Sequence, residues 1–129
     1  MPTRPESITV HPNAAQSIAH LRVLAPPSTF ATVSAELAAI LGEAPIQAPA
    51  GAHVWLLDLL PGGATALPKD LNLHTQLLLC EPDASDKAEV RFVESHGAGL
   101  FEVGVRVDED GGKRGLSETP FGRVAWIPV

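Results

Sequence analysis

Two predicted strands carry polar residues whose types could do chemistry. His20 and Arg22 lie two positions apart in one strand, and Glu102 and Arg106 lie four positions apart in the other. Because successive side chains of a strand point to opposite faces, each pair shares one face. An imidazole and a carboxylate are acceptable ligands for zinc, iron or manganese. They can equally bond to each other, with Arg22 and Arg106 balancing the charge.

The opposite faces of these two strands are apolar, and an amphipathic helix follows the first. Ser28 is the predicted N-cap of this helix, and Gly42 is the predicted stop. Apolar residues recur between them at the spacing of one helical stripe. The stripe and the two apolar strand faces predict a single core, made of Leu21, Val23, Phe30, Val33, Leu37, Ile40, Leu41, Phe101, Val103 and Val105.

The remaining elements complete an α+β pattern with one main helix packed on a mostly antiparallel sheet. Alternation and turn residues predict the main strands at residues 17–24, 53–58, 73–80, 100–107 and 122–127. A short strand at 8–10, a turn at 11–13, loops at 43–52 and 61–70, a short helix at 85–93 and a polar turn at 108–115 complete the assignment.

Length and composition restrict the classes of protein. A chain of 129 residues is predicted to form one domain, here an N-terminal arm at 1–17 followed by a domain at 18–129. The net charge of −6 argues against a nucleic-acid partner, which would require a basic face. The chain has neither an apolar run of about 18 residues nor a signal-peptide core, so we expect a cytoplasmic protein without a membrane partner. The single cysteine, Cys80, excludes an intramolecular disulfide framework.

Motifs of several common enzyme classes are absent from the sequence. It has no phosphate-binding loop, no Gly-x-Ser-x-Gly elbow, no His-Glu-x-x-His and no Cys-x-x-Cys. These absences leave the two polar strand faces as the candidate site.

The sequence resembles the vicinal-oxygen-chelate superfamily, which includes glyoxalase I, extradiol dioxygenases and bleomycin-resistance proteins. Residues 18–23 (IAHLRV), a proline break, the helix and Leu41-Gly42 look like the opening of one of its modules. Residues 11–18 (HPNAAQSI) are similar to the lead-in of glyoxalase-like domains, and residues 96–103 (HGAGLFEV) resemble the start of a second module. The resemblance implies βαβββ modules, of which the second is truncated because only 22 residues follow Val107.

The resemblance also implies a concave polar face that binds a small organic molecule. The candidate binding residues on it are His20, Arg22, Gln76, Glu102 and Arg106. His20 and Glu102 match metal-ligand positions in the opening strands of the two modules. The later-strand position falls at residues 76–78, where no carboxylate stands, and two ligands cannot hold a metal without help. His20 and Glu102 therefore remain candidates for a divalent metal site, and neither is assigned as a ligand.

Three interpretations of function stay open at this stage. The first is metal-assisted lyase, isomerase or dioxygenase chemistry of the vicinal-oxygen-chelate type, and the second is a non-catalytic binding or assembly module. The third is a ferredoxin-like dimeric barrel, which the strand order would reveal. One module and a truncated second leave sheet edges open, so we expect a homodimer or a partner module. Its interface is expected to include strand residues or the regions of Trp55 and Trp126.

Overall fold

Seven strands and two helices make up the part of the chain described by the computed structural model, which is residues 15–59, 69, 73–108 and 115–129. The strands are β1 (Ala15–Leu24), β2 (Ile46–Gln47), β3 (His53–Leu56), β4 (Gln76–Cys80), β5 (Gly99–Val107), β6 (Gly115–Thr119) and β7 (Gly122–Pro128), and the helices are α1 (Phe30–Leu41) and α2 (Lys87–His96). The strand and turn predicted within residues 8–13 lie outside the described residues, as does nearly all of the predicted loop at 61–70.

All seven strands form one sheet in the order β2-β3-β4-β1-β5-β7-β6. Four of the neighbouring pairs are antiparallel, while β1 runs parallel to β4 and β5 runs parallel to β7. In each half of the sheet, therefore, the first strand lies beside the last and parallel to it. The predicted α+β class is confirmed. The element order also differs from the βαββαβ pattern of a ferredoxin-like domain.

Helix α1 begins one residue later than the predicted N-cap, Ser28, would place its start. The chain turns at Pro26, whose carbonyl accepts a hydrogen bond from the Thr29 amide at 3.0 Å. Thr29 rather than Ser28 is therefore the N-cap residue, and its side chain caps no amide of the first turn. The predicted stop at Gly42 is confirmed, because this residue adopts a φ of 74° and its amide donates to the Ala38 carbonyl at 2.8 Å.

The core lies between α1 and the β3-β4-β1 half of the sheet. Its buried members are Ala25, Trp55, Leu77 and Leu79, and the partly buried hydrophobic residues packed against them are Val23, Phe30, Val33, Leu37, Ala38, Leu41 and Leu57. Five of the predicted core residues are thus in place: Val23, Phe30, Val33, Leu37 and Leu41. The inclusion of Ile40 was wrong, because its side chain is 76% exposed on the outer surface of α1.

The predicted core members on β5 do not join this cluster. The β1–β5 register shifts between Arg22 and Val23, so that Phe101 is an extra residue on β5. Phe101 is buried against Phe92 of α2, with ring centroids 5.2 Å apart. Leu21, Val103 and Val105 are only half-buried and lie outside the cluster. The sequence pattern therefore predicted one core where the bulge separates Phe101 from the rest.

In the second half of the chain, one predicted element is confirmed and one strand was missed. Strand β6 was not predicted, because three of its five residues (GLSET) are polar, and in the sheet only two of the five are partly buried. The short helix predicted at 85–93 is confirmed as α2, with Asp86 as its N-cap. Neither described helix has the length and apolarity needed to cross a membrane.

Candidate ligand-binding site

His20 and Glu102 meet at the centre of the sheet. Their strands are antiparallel neighbours, and the Nε2 atom of His20 lies 2.8 Å from the Oε2 atom of Glu102 in a hydrogen bond. The imidazole lies over Gly104, the β5 residue directly opposite His20, where any Cβ atom would overlap the ring. The prediction that these two strands are neighbours and that His20 and Glu102 share one face is confirmed.

Arg123 of β7 supplies the second partner of Glu102. In the parallel β5–β7 register Arg123 stands opposite Glu102, and its Nε donates to Oε1 of Glu102 at 3.0 Å. The guanidinium also stacks on Phe101, 4.4 Å from the ring centroid. The side chains of Arg123 and Glu102 are both more than 90% shielded from solvent. The predicted charge-balancing role of Arg106 therefore belongs to Arg123.

Helix α2 brings two more carboxylates to the same face of the sheet. The buried Glu89 accepts hydrogen bonds from Arg22 at 2.8 Å and from Arg123 at 3.3 Å. Asp86 accepts from Arg123 at 3.3 and 3.4 Å and also caps the helix through the amides of residues 88 and 89. Five charged side chains and His20 thus form one network, which we call the polar cluster: Arg22, Asp86, Glu89, Glu102 and Arg123, with His20.

Hydrogen bonds and charges within the polar cluster lower the pKa values of two of its carboxyl groups, Glu102 and Asp86. The hydrogen bond from His20 lowers the pKa of the Glu102 carboxyl, and the charges of Arg22 and Arg123 lower it further against the opposing effect of burial. Partial burial would raise the pKa of Asp86, but hydrogen bonds from the Glu89 amide and from Arg123 lower it overall. Three carboxylates of the polar cluster thus face two guanidinium groups and the imidazole of His20.

The other two predicted binding residues lie outside the polar cluster. Gln76 is the β4 partner of His20 in the sheet register. Arg106 donates to the Ser17 hydroxyl at 3.2 Å and to the backbone carbonyls of Ile18 and His74. Its guanidinium therefore joins the ends of β1, β4 and β5 and does not reach Glu102.

A cavity of about 330 Å³ lies beside the polar cluster, between α2 and the β6–β7 hairpin. Its lining residues are Ala88, Arg91, Phe92, Ser95 and His96 of α2, Leu100 and Phe101 of β5, and Glu118, Phe121, Gly122 and Arg123 of the hairpin. Leu100 is 53% exposed and Phe121 is 99% exposed, so apolar surface frames the opening. None of the five predicted binding residues lines it.

The comparison with solved structures bears on the architecture around this site. Methylmalonyl-CoA epimerase from Mycobacterium tuberculosis superposes with a TM-score of 0.51 at 13% identity, covering 93% of each chain. A xylose isomerase-like TIM barrel/4-hydroxyphenylpyruvate dioxygenase fusion protein superposes with a TM-score of 0.54 at 14% identity, covering 98% of this chain and 22% of that one. The chain has the vicinal-oxygen-chelate fold. No family model matches the sequence, and no curated protein matches it.

The residues present do not fit the divalent metal that the vicinal-oxygen-chelate resemblance implies. The Nε2 atom of His20 and both carboxylate oxygens of Glu102 are already bonded within the polar cluster, and Arg123 holds a positive charge against that carboxylate. Within the described residues, no group of three His, Cys, Asp or Glu side chains is arranged to hold a metal ion. A cation would have to displace a buried arginine as well as the imidazole.

Proposed function

We propose that this glyoxalase-like domain binds a small organic molecule in the cavity beside α2, without a divalent metal. The observation that carries the proposal is the cavity itself. Its volume of about 330 Å³ falls in the size range of small-molecule sites, and its walls combine aromatic rings with a few polar groups. An apolar body with separate polar contacts is the composition that gives such sites both affinity and orientation.

The polar cluster supports this proposal by fixing the shape of the cavity. Arg123 forms part of the cavity wall, and its guanidinium is held by carboxylates of the sheet and of α2. Phe92 of α2 packs on Phe101 of β5. Because α2 is anchored by both contacts, the cavity is formed before a ligand arrives, which lowers the entropic cost of binding.

Metal-assisted lyase, isomerase or dioxygenase chemistry is the less favoured interpretation. This chemistry would need the side chains of His20 and Glu102 to be free to bind a metal. Instead, the two side chains are hydrogen-bonded to each other, and Glu102 is also hydrogen-bonded to Arg123. A non-catalytic binding module needs no such rearrangement, and the proposal follows that interpretation.

A binding experiment with and without metal tests the proposal. Uniformly ¹⁵N-labelled protein is titrated with a mixture of small aromatic acids, amines and amides, first with EDTA and then with Zn²⁺ or Mn²⁺. We expect amide shifts in α2 and the β6–β7 hairpin that are the same in both conditions. Phe121→Ala should weaken binding, while Leu116→Ala, an exposed residue outside the cavity lining, should not. Binding that requires the metal and shifts His20 and Glu102 would instead favour the enzymatic interpretation.

A further inference from the structure

The cavity beside α2 has a chemical polarity of its own. Arg91 and Ser95 lie one helical turn apart, so they share the face of α2 that lines the cavity. The β6–β7 hairpin contributes Glu118 on the opposite side of the opening. The aromatic rings of Phe92, Phe101 and Phe121, from α2, β5 and the hairpin, contribute apolar surface. A guanidinium and a hydroxyl therefore stand on one wall and a carboxylate on the other.

Only one of the two arginines in the cavity has its charge available to a ligand. The guanidinium of Arg123 is bonded to Glu102, Asp86 and Glu89. Arg91 makes no hydrogen bond or ion pair with any residue in the described part of the chain, and its side chain is exposed. Its planar fork of donors is suited to a carboxylate or another planar oxyanion.

From this arrangement, and on the basis of the proposed function, we infer that the ligand is a small organic anion with a flat apolar body. The anionic group binds Arg91 and the Ser95 hydroxyl, and the flat body lies against the aromatic rings. Glu118 on the opposite wall repels the anionic group and so fixes its direction. A cationic ligand is disfavoured, because Arg91 faces it and because the ring of Phe101 is already covered by Arg123.

Two probes of matched shape test the class of ligand. They are 3-phenylpropionate and its neutral amide, 3-phenylpropionamide, each titrated into the ¹⁵N-labelled full chain at constant ionic strength. We expect 3-phenylpropionate to shift amides of Arg91–His96 and of the β6–β7 hairpin, with a dissociation constant of about 1 mM or lower. The amide should bind about three- to five-fold more weakly, since an exposed ion pair contributes about that much.

Charge variants on the same helix separate a direct contact from a general effect of charge. Arg91→Gln should weaken 3-phenylpropionate about three- to five-fold and leave the amide unchanged. Lys87→Gln removes a positive charge from α2 outside this cavity and should change neither constant by more than about two-fold. Glu118→Gln should strengthen binding of the anion.

The outcomes distinguish this inference from the proposed function. If the amide binds at the cavity as tightly as the anion, or if Lys87→Gln acts as strongly as Arg91→Gln, the anionic class is wrong while the cavity remains a binding site. If neither probe shifts residues that line the cavity, both the inference and the proposed function are overturned. Tighter binding of 3-phenylpropylamine than of the anion would also overturn the anionic class.

Discussion

Glu102 is the residue on which the polar cluster depends, since it joins β1 to β7 through His20 and Arg123. Replacing it by Gln removes the charge that both partners face. We expect Glu102→Gln to lower the free energy of unfolding by about 2–3 kcal/mol, because charge-assisted hydrogen bonds to two partners are lost, although Asp86 and Glu89 still face Arg123. Chemical denaturation at neutral pH measures the loss. Glu118→Gln, on the exposed side of β6, is the control and should cost less than about 0.5 kcal/mol.

The same residue predicts a pH dependence with a defined sign. Folding holds the pKa of Glu102 below its value in the unfolded chain, which is about 4.3. The stabilisation is therefore complete above that value and is lost as the pH falls through the lower folded value. Unfolding measured between pH 6 and pH 3 should show a smaller fall in stability for Glu102→Gln than for the wild type. Equal slopes for the two proteins would contradict the assigned shift.

Gly104 is required by the imidazole that lies on it. A Cβ atom at this position would come within 3.0 Å of three atoms of the His20 ring. Gly104→Ala should therefore displace the ring and cost about 2 kcal/mol, a typical value for overpacking. In a His20→Ala background the same change should cost less than about 0.5 kcal/mol, since the overlap is gone. A cost that is unchanged in the double variant would place the strain elsewhere.

Helix α1 stabilises the fold through one stripe of side chains. Leu37 packs on the core, whereas Ile40 is 76% exposed on the same helix. Leu37→Ala should lower the free energy of unfolding by about 2–5 kcal/mol, and Ile40→Ala by less than about 0.5 kcal/mol. Thermal or urea unfolding of the two variants makes the comparison. A loss below about 0.5 kcal/mol for Leu37→Ala would show that the helix packs through a different face.

Helix α2 is attached to the sheet by charge as well as by Phe92. Arg123→Met would leave Asp86, Glu89 and Glu102 without their shared counter-ion. We expect faster amide hydrogen exchange throughout Lys87–His96 and a loss of about 3–5 kcal/mol. Arg91→Met on the exposed side of α2 is the matched control. Unchanged exchange in Arg123→Met would mean that apolar contacts alone hold the helix.

The elements that could be predicted from the sequence are defined by patterns within a few residues. The contacts that could not be predicted depend on which strands are neighbours in the sheet. The stripe of α1 and its stop at Gly42 follow from spacing and glycine chemistry within a few residues. The bond between Arg123 and Glu102 depends on β5 and β7 being parallel neighbours, which the spacing within either strand does not encode. Glu89 did carry a local signal, because Asp86 and Glu89 have the spacing of a capping box.

The candidate site was predicted in part for the same reason. The alternation of β1 and β5 put His20 and Glu102 on one face, and their contact confirms that face. The cavity is formed by α2 and by a hairpin whose first strand, β6, has little hydrophobic pattern. A bulge then moves Phe101 to the cavity side. An extra residue of this kind reverses the alternation from which faces are assigned, so the pattern alone could not locate the aromatic wall.

At the scale of the whole molecule, the two halves of the sheet differ in how their apolar faces are covered. Helix α1 covers the first half, whereas the described part of the second half contains no helix after β5. The neighbouring pairs Val103–Val124 and Val105–Trp126 are half-buried and lie on the same face of the sheet as α1. A contiguous apolar patch of this kind is typical of an association surface.

We therefore expect two copies to associate through the β5–β7 face, as a closed two-fold dimer. Of the two tryptophans considered from the sequence, Trp55 is 1% exposed in the core and its indole donates to the Glu43 carbonyl, so Trp126 is the one that can contribute. Light scattering at micromolar concentration should give about twice the chain mass of 13.5 kDa. Val105→Lys should reduce it to the monomer, because a stable interface of more than about 1,000 Å² cannot bury that charge unpaired. Leu116→Lys, on the other face of the sheet, should leave the dimer intact, and a wild-type mass near 13.5 kDa would contradict the prediction.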